Sequence, residues 1–415
     1  MNRYFLLVVL FSIFGLPLNA QKAQVVEQIN QKAIKIENAD LHSSLEESEK
    51  FKDVFGQVRI FGFGEATHGT KEFFQLKLKF FKYLVENKGV KHFAIEASYG
   101  NCLKIDQYIK GKNYDPKLLL QEIGYWIWNT EEMLAVIEWM RSFNEARGPS
   151  EQINFYGIDV MDPTKSASLS KKYLQKTPLG INSEFVRVLN FYISRDKAKN
   201  LTKRKLKEHS EELQQLLSSL EASSDNNSGA LFRLISSVQQ YVNFQIEPTQ
   251  EVRDEMMFNN VDRILSSNEK DDKVFVWSHN FHIKKNDITF TNDSSMGHHL
   301  KEKYGNKYYS LGFDFGSGNF NAVDVNERKI GVFSINKPMK NTSSEVFNSA
   351  AFEIYFLDFK SVSENSALAD FLTSKVYYRA IGANYDPKMV EKEKLGDAYD
   401  GIIFVKTTEA SNFLK

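Results

Sequence analysis

The chain has 415 residues, of which 42% are hydrophobic and 26% charged, a composition that fits one large α/β domain or two smaller ones. Lysine plus arginine equals aspartate plus glutamate, so no basic surplus indicates nucleic acid or an anionic membrane as a partner. The single cysteine, Cys102, excludes an intramolecular disulfide. A catalytic thiol stays open, but we interpret Cys102 as a small buried hydrophobic residue.

The first twenty residues differ from the rest of the chain. Arg3 precedes an apolar run from Tyr4 to Leu16, and the small Ala20 follows. This order is typical of a secretory signal, whereas a membrane anchor needs roughly 20 apolar residues. We therefore predict a signal peptide over residues 1–20, cleaved near Ala20, export to a bacterial periplasm, and no membrane contact after cleavage.

Hydrophobic periodicity predicts a helix over residues 22–55 and another over residues 133–143. A third helix is predicted after the strand at residues 58–63, with its apolar face between residues 73 and 84. Short apolar runs predict strands at residues 58–63, 92–96, 153–158, 273–277, 308–313, 352–357 and 401–405. Loops are predicted at residues 317–319 and 341–344. Strands that alternate with helices predict an α/β fold, with a central mixed, mostly parallel sheet flanked by helices.

The middle of the chain has no convincing strand. Leucine-rich stripes over residues 206–220 and 231–241 flank a turn at residues 223–229, which predicts an antiparallel helical hairpin. We therefore predict a catalytic core in two parts, residues 21–163 and 268–415, interrupted by a helical insertion over residues 164–267.

Chemically useful side chains follow the predicted strands. Glu65 and His68 come after the first strand, Glu96 ends the second, and His279 and His282 follow a later one. Carboxyl ends of parallel strands meet at one edge of a sheet, so these side chains are expected to lie together. His68 can take a proton from water if Glu65 holds its other nitrogen, and the later histidines can stabilise an oxyanion. This set predicts attack of water on an ester or amide.

Other interpretations stay open. Each of these residues taken alone has a structural explanation, such as a helix cap for Glu65 or a satisfied buried imidazole for His282. Glu65, His68, His279 and His282 also have the donor types of a zinc site, although the His-Glu-x-x-His motif is absent. Ser278 lacks the Gly-x-Ser-x-Gly context of a nucleophilic serine. No glycine-rich nucleotide motif occurs.

The stretch over residues 64–73, Gly-Glu-Ala-Thr-His-Gly-Thr-Lys-Glu-Phe, resembles the opening signature of the erythromycin esterase family. Further motifs agree with that family in order, at residues 93–96, 128–131, 155–159, 253–256, 279–282 and 296–300. The similarity covers roughly residues 45–405.

This resemblance implies hydrolysis of the lactone ester of fourteen-membered macrolide antibiotics such as erythromycin, with no metal or other cofactor. A small-molecule ester and water are then the only partners. The residue matching the family's general base is His68, supported by Glu65 and Glu96, and His279 and His282 complete the site. A helical projection over the cleft is also implied.

One position departs from the family pattern. Lys77 stands where an arginine is usual, which keeps the charge but loses the planar fork. We predict that Lys77, Trp126, Trp128 and Asp159 bind the substrate or its oxyanion. Lys77 also keeps a rival interpretation open, a non-catalytic binding or envelope-assembly protein with the same fold.

Overall fold

A computed structural model describes residues 18–415 except 42, 46–47, 176–182, 195, 198–199, 222–227, 268–269, 288–292 and 380. Residues 1–17 of the predicted signal peptide and most of the predicted hairpin turn lie outside the described residues. Within the described ranges, no helix is long and apolar enough to cross a membrane.

The α-helices flank a central sheet or form the insertion. In chain order they are α1 (Leu18–Lys32), α2 (Phe51–Val54), α3 (Lys71–Lys88), α4 (Tyr99–Ile109), α5 (Pro116–Glu122), α6 (Glu131–Glu145), α7 (Thr164–Leu174), α8 (Ser183–Tyr192), α9 (Lys203–Glu221), α10 (Ser228–Ile246), α11 (Gln250–Ser266), α12 (Asn280–Ile283), α13 (Met296–Tyr304), α14 (Ser343–Asn348), α15 (Ala367–Thr373) and α16 (Leu395–Ala398). Short 3₁₀ helices occur at Ser48–Lys50, Trp126–Trp128, Gly305–Lys307 and Phe359–Ser361.

The strands include all seven that the sequence predicts. In chain order they are β1 (Ile34–Lys35), β2 (Ile60–Phe63), β3 (His92–Ser98), β4 (Asn154–Asp159), β5 (Val274–Trp277), β6 (Tyr308–Asp324), β7 (Ile330–Ile335), β8 (Ile354–Asp358), β9 (Lys375–Arg379), β10 (Asn384–Tyr385), β11 (Val390–Lys394) and β12 (Gly401–Thr408).

Ten of these strands form one mixed sheet in the described part of the chain. The order is β1-β8-β12-β6-β2-β5-β3-β4, and β7 and β10 also pair with β6. Neighbours from β12 to β4 are parallel, whereas β1–β8, β8–β12 and β6–β7 are antiparallel. Strands β9 and β11 form a separate antiparallel pair. The predicted mixed, mostly parallel sheet with flanking helices is therefore confirmed.

Side chains of the central strands alternate between two buried faces, as the pleat of a strand requires. Phe61, Phe63 and Phe275 lie on one face, which is rich in aromatic rings. Ile60 and Val276 lie on the other. Because both faces are covered, the central strands are held rigidly, and the groups at their carboxyl ends are placed with the same precision.

Helix α3 begins directly after the turn that follows β2. Its predicted apolar face is buried: Phe73, Leu76, Phe80, Phe81 and Leu84 are all shielded from solvent. The helix ends at Gly89, whose φ of 67° lies in the left-handed region that glycine adopts without steric cost.

The helical region in the middle of the chain has a small core of its own. Leu213 and Leu217 of α9 pack with Val238 and Tyr241 of α10. His209 lies in the same cluster, with its Nδ1 2.8 Å from the Tyr192 hydroxyl. Helix α11 instead packs on the sheet with the cluster that contains β5. Between residues 164 and 267, the described residues form helices and no strand.

Two local predictions were wrong, and a third was wrong in part: Ser343 and Ser344 of the loop predicted at residues 341–344 begin α14. The helix predicted over residues 22–55 ends at Lys32, because the next segment pairs with β8, where Ile34 faces Phe356. The loop predicted at residues 317–319 lies inside β6, since Gly318 pairs with β12 on one side and with β7 on the other.

Candidate active site

The predicted site residues meet at the carboxyl edge of the sheet. Strands β2, β5 and β3 are adjacent and parallel, so the turn after β2, the turn after β5 and the end of β3 lie side by side. The β3–β4 register shifts between Ile95 and Ser98, and Glu96 lies within that irregularity. A bulge of this kind re-aims a side chain.

The Glu65 carboxylate receives three side-chain donors. His68 Nδ1 lies 2.5 Å from Oε1, and Lys77 Nζ and Trp277 Nε1 donate to Oε2 at 2.6 and 2.8 Å. Burial raises the pKa of Glu65, but Lys77 and His68 outweigh it, and the pKa falls to about 2. Burial lowers the pKa of Lys77 to about 8 against the opposing effect of Glu65. Glu65 is therefore an ionised acceptor at neutral pH.

Glu96 joins the turn after β5 to a cationic group. Its Oε2 accepts from the Ser278 hydroxyl at 2.7 Å and the His279 backbone N–H at 2.9 Å. Its Oε1 accepts from Arg253 Nη2 at 2.8 Å and lies 3.1 Å from His282 Nε2. Burial raises the pKa of Glu96, but His282 and Arg253 hold it well below its usual range.

Arg253 on α11 brings the ends of two strands together. Its Nε and Nη2 donate to the two oxygens of Asp159, both at 2.9 Å, while Nη2 also reaches Glu96. Such a two-pronged contact uses the planar fork of arginine. Asp159 lies at the end of β4, so Arg253 fixes the carboxyl ends of β3 and β4 relative to helix α11.

His282 is held as a cation between carboxylates. Its Nδ1 lies 2.8 Å from Asp254 Oδ1, and its Nε2 faces Glu96. Burial alone lowers the pKa of His282, but Asp254 and Glu96 outweigh burial and raise the pKa to about 10. Nε2 also lies 3.1 Å from Arg253 Nη1. With both ring nitrogens protonated, the Nε2 proton is donated to Glu96 rather than received from arginine.

His68 and His279 have opposite tautomers. His68 donates its Nδ1 proton to ionised Glu65, so in the neutral ring the lone pair is on Nε2. His279 Nδ1 accepts the Phe281 backbone N–H at 3.2 Å, so in the neutral ring the proton is on Nε2. Burial and the neighbouring His68 lower the pKa of His279 to about 3, which keeps the ring neutral. The ring centroids are 5.2 Å apart, which places a base beside a donor.

A cavity of about 530 Å³ opens over these two rings. Trp126 and Phe281 supply aromatic wall, and Ile381, Gly382 and Ala383 line the cavity beside the two rings. The backbone of Gly382 bonds the turn that carries the base: His68 N–H donates to its carbonyl, and its N–H donates to Ala66, both at 3.3 Å. His279 Nε2 is buried without a hydrogen-bond partner among the described residues, next to this wall.

The structure brings together most of the predicted residues. His68, Glu96, His279, His282, Asp159 and Trp126 line the cavity. Glu65 lies behind His68 as its partner.

Two residues that were predicted to bind the substrate do not face the cavity. Lys77 is fully buried behind Glu65, over the ring of Trp277, so its ammonium supports the carboxylate and does not face the cavity. Trp128 is buried and donates to the Glu96 backbone carbonyl at 3.3 Å.

Three residues of this site were absent from the sequence-based set. Arg253 and Asp254 lie on α11, and a charged pair on a helix is usually interpreted as part of its solvent-exposed face. The family motif over residues 253–256 was the one sequence feature that could have identified them as site residues. Gly382 follows a segment with no recognisable motif.

The four residues considered as zinc ligands are engaged with partners within the protein. The Nδ1 atoms of His68 and His279 and both nitrogens of His282 face partners within the protein. In the described part of the chain, no group of three or more histidine, cysteine, aspartate or glutamate side chains is arranged to hold a metal ion.

The sequence profile of the family described as erythromycin esterase matches residues 85–408. The chain belongs to the erythromycin esterase family. Its relatives include the erythromycin esterase type II of Escherichia coli, 22% identical over 406 residues, which cover 87% of this chain and 92% of that protein. Another is YbfO of Bacillus subtilis, provisionally named as a hydrolase, 23% identical over 400 residues, 88% of this chain and 87% of that one.

Solved structures share the erythromycin esterase family fold. A Bacillus cereus protein has a TM-score of 0.84 at 20% identity, covering 95% of this chain and 99% of its own. A mutant of the erythromycin esterase EreC in its open conformation has a TM-score of 0.62 at 16% identity, covering 87% and 93%. At these identities the likeness concerns the fold. Family membership places the chain among hydrolases that act on a small molecule and water.

Proposed function

We propose that this protein is a metal-independent carboxylic ester hydrolase that opens the lactone of fourteen-membered macrolides such as erythromycin. The observation that carries the proposal is the pair of opposite imidazole tautomers over one cavity: His68 offers a lone pair where His279 offers an N–H. Ester hydrolysis by water needs both, a base for the nucleophile and a donor for the oxyanion.

The reaction follows from these positions. His68 Nε2 takes a proton from water, and the hydroxide attacks the ester carbonyl carbon. Glu65 stabilises the resulting imidazolium, with its own charge balanced by Lys77. The His279 Nε2–H meets the oxyanion. When the tetrahedral intermediate collapses, the carbon–oxygen bond of the leaving alcohol breaks, and His68 returns its proton to that oxygen. For a lactone, the product is a single ring-opened molecule that carries both the carboxylic acid and the alcohol.

The second group of charged side chains, around Glu96, positions His279 and takes no part in the proton transfers. Glu96 holds the His279 backbone and the Ser278 hydroxyl, and it is itself fixed by Arg253 and protonated His282. His279 therefore keeps its orientation as the substrate enters. Such support of reacting groups by neighbouring residues is what a precise site requires.

The macrolide is proposed from the relative named for erythromycin and from the cavity. Its volume of about 530 Å³ lies within the usual range of small-molecule sites. Trp126 and Phe281 offer apolar surface to a lactone ring. Inactivation of an antibiotic would follow from ring opening.

Export is proposed from the sequence of residues 1–20 alone. Fractionation of an expressing bacterium, with amino-terminal sequencing of the product, tests it. A periplasmic protein beginning near Gln21 supports export, whereas a cytoplasmic protein that retains Met1 contradicts it.

The activity is tested by mass spectrometry of erythromycin and other macrolides after incubation with the purified protein. We expect the mass to increase by one water, with fragments of an opened ring. His68→Gln should lower kcat by roughly 10²- to 10⁴-fold, the usual contribution of a general base. His298→Gln, which changes a histidine that does not line the cavity, should retain full activity.

Other outcomes separate the alternatives. Unchanged turnover by His68→Gln contradicts the mechanism. Activity that is lost with a chelator and restored by zinc supports a zinc-dependent hydrolase instead. If no macrolide and no simple ester is hydrolysed, a non-catalytic envelope or binding role replaces the proposal.

A further inference from the structure

One carboxylate in the cavity over His68 has no basic partner. Asp386 lines this cavity, and in the described part of the chain no ion pair joins it to Lys388 or to any other basic side chain. Its Oδ1 accepts the backbone N–H of Lys388 at 2.9 Å, and its Oδ2 has no hydrogen-bond partner among the described residues. Because a carboxylate has about four acceptor positions, Asp386 can still accept from a ligand.

The other charges of the cavity leave it negative. Arg253 and protonated His282 are the cations among the described lining residues, and Glu96 and Asp159 neutralise them. Asp254 lies behind His282 and adds another negative charge. The cavity is therefore negative before Asp386 is counted, and such a field attracts a cationic ligand and repels an anionic one.

The mouth of the cavity is apolar. Met161, Val325 and Met389 line it, although these residues are 39%, 45% and 40% exposed. Large apolar side chains that are exposed together at a cavity rim are typical of a surface that a ligand covers. The flexible methionine side chains adapt to a ligand of irregular shape. An apolar body therefore fits this apolar mouth, beside the charge of Asp386.

The chain segment that carries Asp386 is held in place. Strand β10 ends at Tyr385, which pairs with Asp324 of β6. The Tyr385 ring packs against those of Phe320 and Phe333, with centroid distances of 5.2 and 5.0 Å. Asp386 follows directly, so its carboxylate is presented from an anchored strand end. A carboxylate fixed in this way loses little freedom when it pairs with a ligand.

The distance from the reacting groups to Asp386 is limited by the chain. The proposed reaction places the ester carbonyl beside His279, whose buried Nε2 has no partner among the described residues. Gly382 adjoins the His279 ring. Asp386 is four residues further on, so the two Cα atoms are at most about 14 Å apart, since an extended chain advances about 3.3–3.6 Å per residue. One drug-sized ligand can therefore reach both groups.

We propose that the cavity selects amphiphilic esters that carry a protonated amine: the ammonium pairs with Asp386, and the apolar body of the substrate covers the apolar mouth. This inference rests on the proposed ester hydrolysis and assigns the substrate specificity of the same site. Erythromycin belongs to this class, because its large lactone is apolar and its dimethylamino sugar is a cation at neutral pH. Esters of the same shape without the charge are then poorer substrates.

Steady-state kinetics with a matched pair of substrates test the proposal. The pair is erythromycin and its N-demethyl-N-acetyl derivative, in which a neutral amide replaces the amine and the lactone is unchanged. For the wild-type protein we expect the KM of erythromycin to be lower by roughly three- to fivefold, the size of a partly exposed ion pair, with similar kcat. The change is made in the substrate, so the folding of the protein is not involved.

Matched variants locate the charge. Asp386→Asn keeps an oxygen that can accept the Lys388 N–H. It should raise the KM of erythromycin by roughly three- to fivefold and leave that of the neutral derivative unchanged. Asp324→Asn is the control: Asp324 also accepts backbone N–H groups, those of Asn326 and Glu327, but does not line the cavity. It should alter neither KM. A merely structural role of Asp386 would change both substrates alike.

Binding is measured separately, so that the two proposals can fail independently. Calorimetric titration of His68→Gln, which turns over slowly, gives the affinity of each compound. Hydrolysis of both compounds with equal KM and equal affinity overturns the inference and leaves the esterase in place. An Asp386→Asn protein that loses affinity for both compounds equally does the same. Preferential binding of the amine without any hydrolysis contradicts the esterase proposal but supports selection of the charge. Binding of neither compound overturns both.

Discussion

Glu65 is the residue on which the proposed base depends. A single buried carboxylate orients His68 with one oxygen and accepts from Lys77 and Trp277 with the other. The ammonium of Lys77 satisfies one oxygen of Glu65 and lies 4.2 Å from the Trp277 ring centroid. The cation therefore acts on the reaction through Glu65, one residue removed from the substrate.

Removal of this cation should destabilise the fold. Lys77→Met keeps a long side chain but leaves the Glu65 charge buried, so we expect a loss of about 3–5 kcal/mol in the free energy of unfolding. Lys77→Arg keeps the charge and should lose much less. Urea unfolding at neutral pH measures both. A Lys77→Met protein as stable as the wild type would show that Glu65 is not held as an anion by Lys77.

At the scale of elements, the cavity wall that contains Gly382 is as important as the strand ends. A Cβ at this position would lie 3.6 Å from His279 Nε2 and 3.9 Å from Cδ2 and Cε1, over the face of the imidazole ring at van der Waals distance. The φ of 61° also favours glycine. The wall therefore leaves the space above the His279 ring open because this residue has no side chain.

Gly382→Ala should lower kcat for the ester by at least about tenfold, since a methyl group over the face of His279 then narrows the space in which the ester is positioned. Gly89→Ala is the matched control: its φ is 67°, but nothing lies within 4 Å of the added Cβ. Both variants carry similar backbone strain, and only the first should lose activity. Steady-state kinetics, with melting curves for both proteins, make the comparison. Equal losses in the two variants would attribute the effect to strain.

The elements also show which parts of the sequence were informative. The seven strands were found because buried strands are continuous apolar runs, and the carboxyl ends of the parallel ones collected Glu65, His68, Glu96 and the later histidines. Short or polar strands such as β1, β9 and β11 have no such signal. The stretch at residues 317–319 looks like a loop because its stability comes from pairing with β7 and β12, which is a long-range property.

The same limit applies to the site. Arg253 and Asp254 lie on a helix that packs across three strand ends, a contact that local sequence patterns do not encode. Lys77 lies on the helix face that points into the core. The family resemblance singled it out as a residue that binds the substrate or its oxyanion, but gave no indication that it lies behind Glu65. The sequence thus indicated which residues belong to the site better than it indicated where their side chains point.

For the whole molecule, the charged group around His282 links folding to pH. Its pKa of about 10 lies above the ordinary value near 6.5, so the folded state binds the proton more tightly. The resulting stabilisation is complete below about pH 6.5 and declines until pH passes about 10. Its upper bound is roughly 5 kcal/mol, because one pKa unit corresponds to about 1.4 kcal/mol.

His282→Gln tests this linkage, since glutamine cannot take up the proton. We expect the stability difference between wild type and His282→Gln to be greatest near pH 6 and to shrink steadily toward pH 10. Denaturant unfolding of both proteins across this range gives the difference directly. The comparison cancels groups common to both, including Lys77, whose own pKa lies near 8. A difference that does not vary with pH would mean that His282 is neutral in the folded protein.

The main sheet carries the reacting groups, whereas the segment between β9 and β11 forms part of the cavity wall. This separation affects how the substrate specificity of the protein can change. The groups that hold or transfer protons lie on strand ends and α11. Much of the remaining cavity wall, from Ile381 to Met389, is one stretch of chain between β9 and β11 that includes β10. Exchange of the side chains in that stretch would change the shape offered to a substrate while leaving the acid and base pairs in place. The contacts to be retained are backbone ones, between Gly382 and the His68 turn and between β10 and β6. Substitutions within this one short segment are therefore expected to change the substrate specificity.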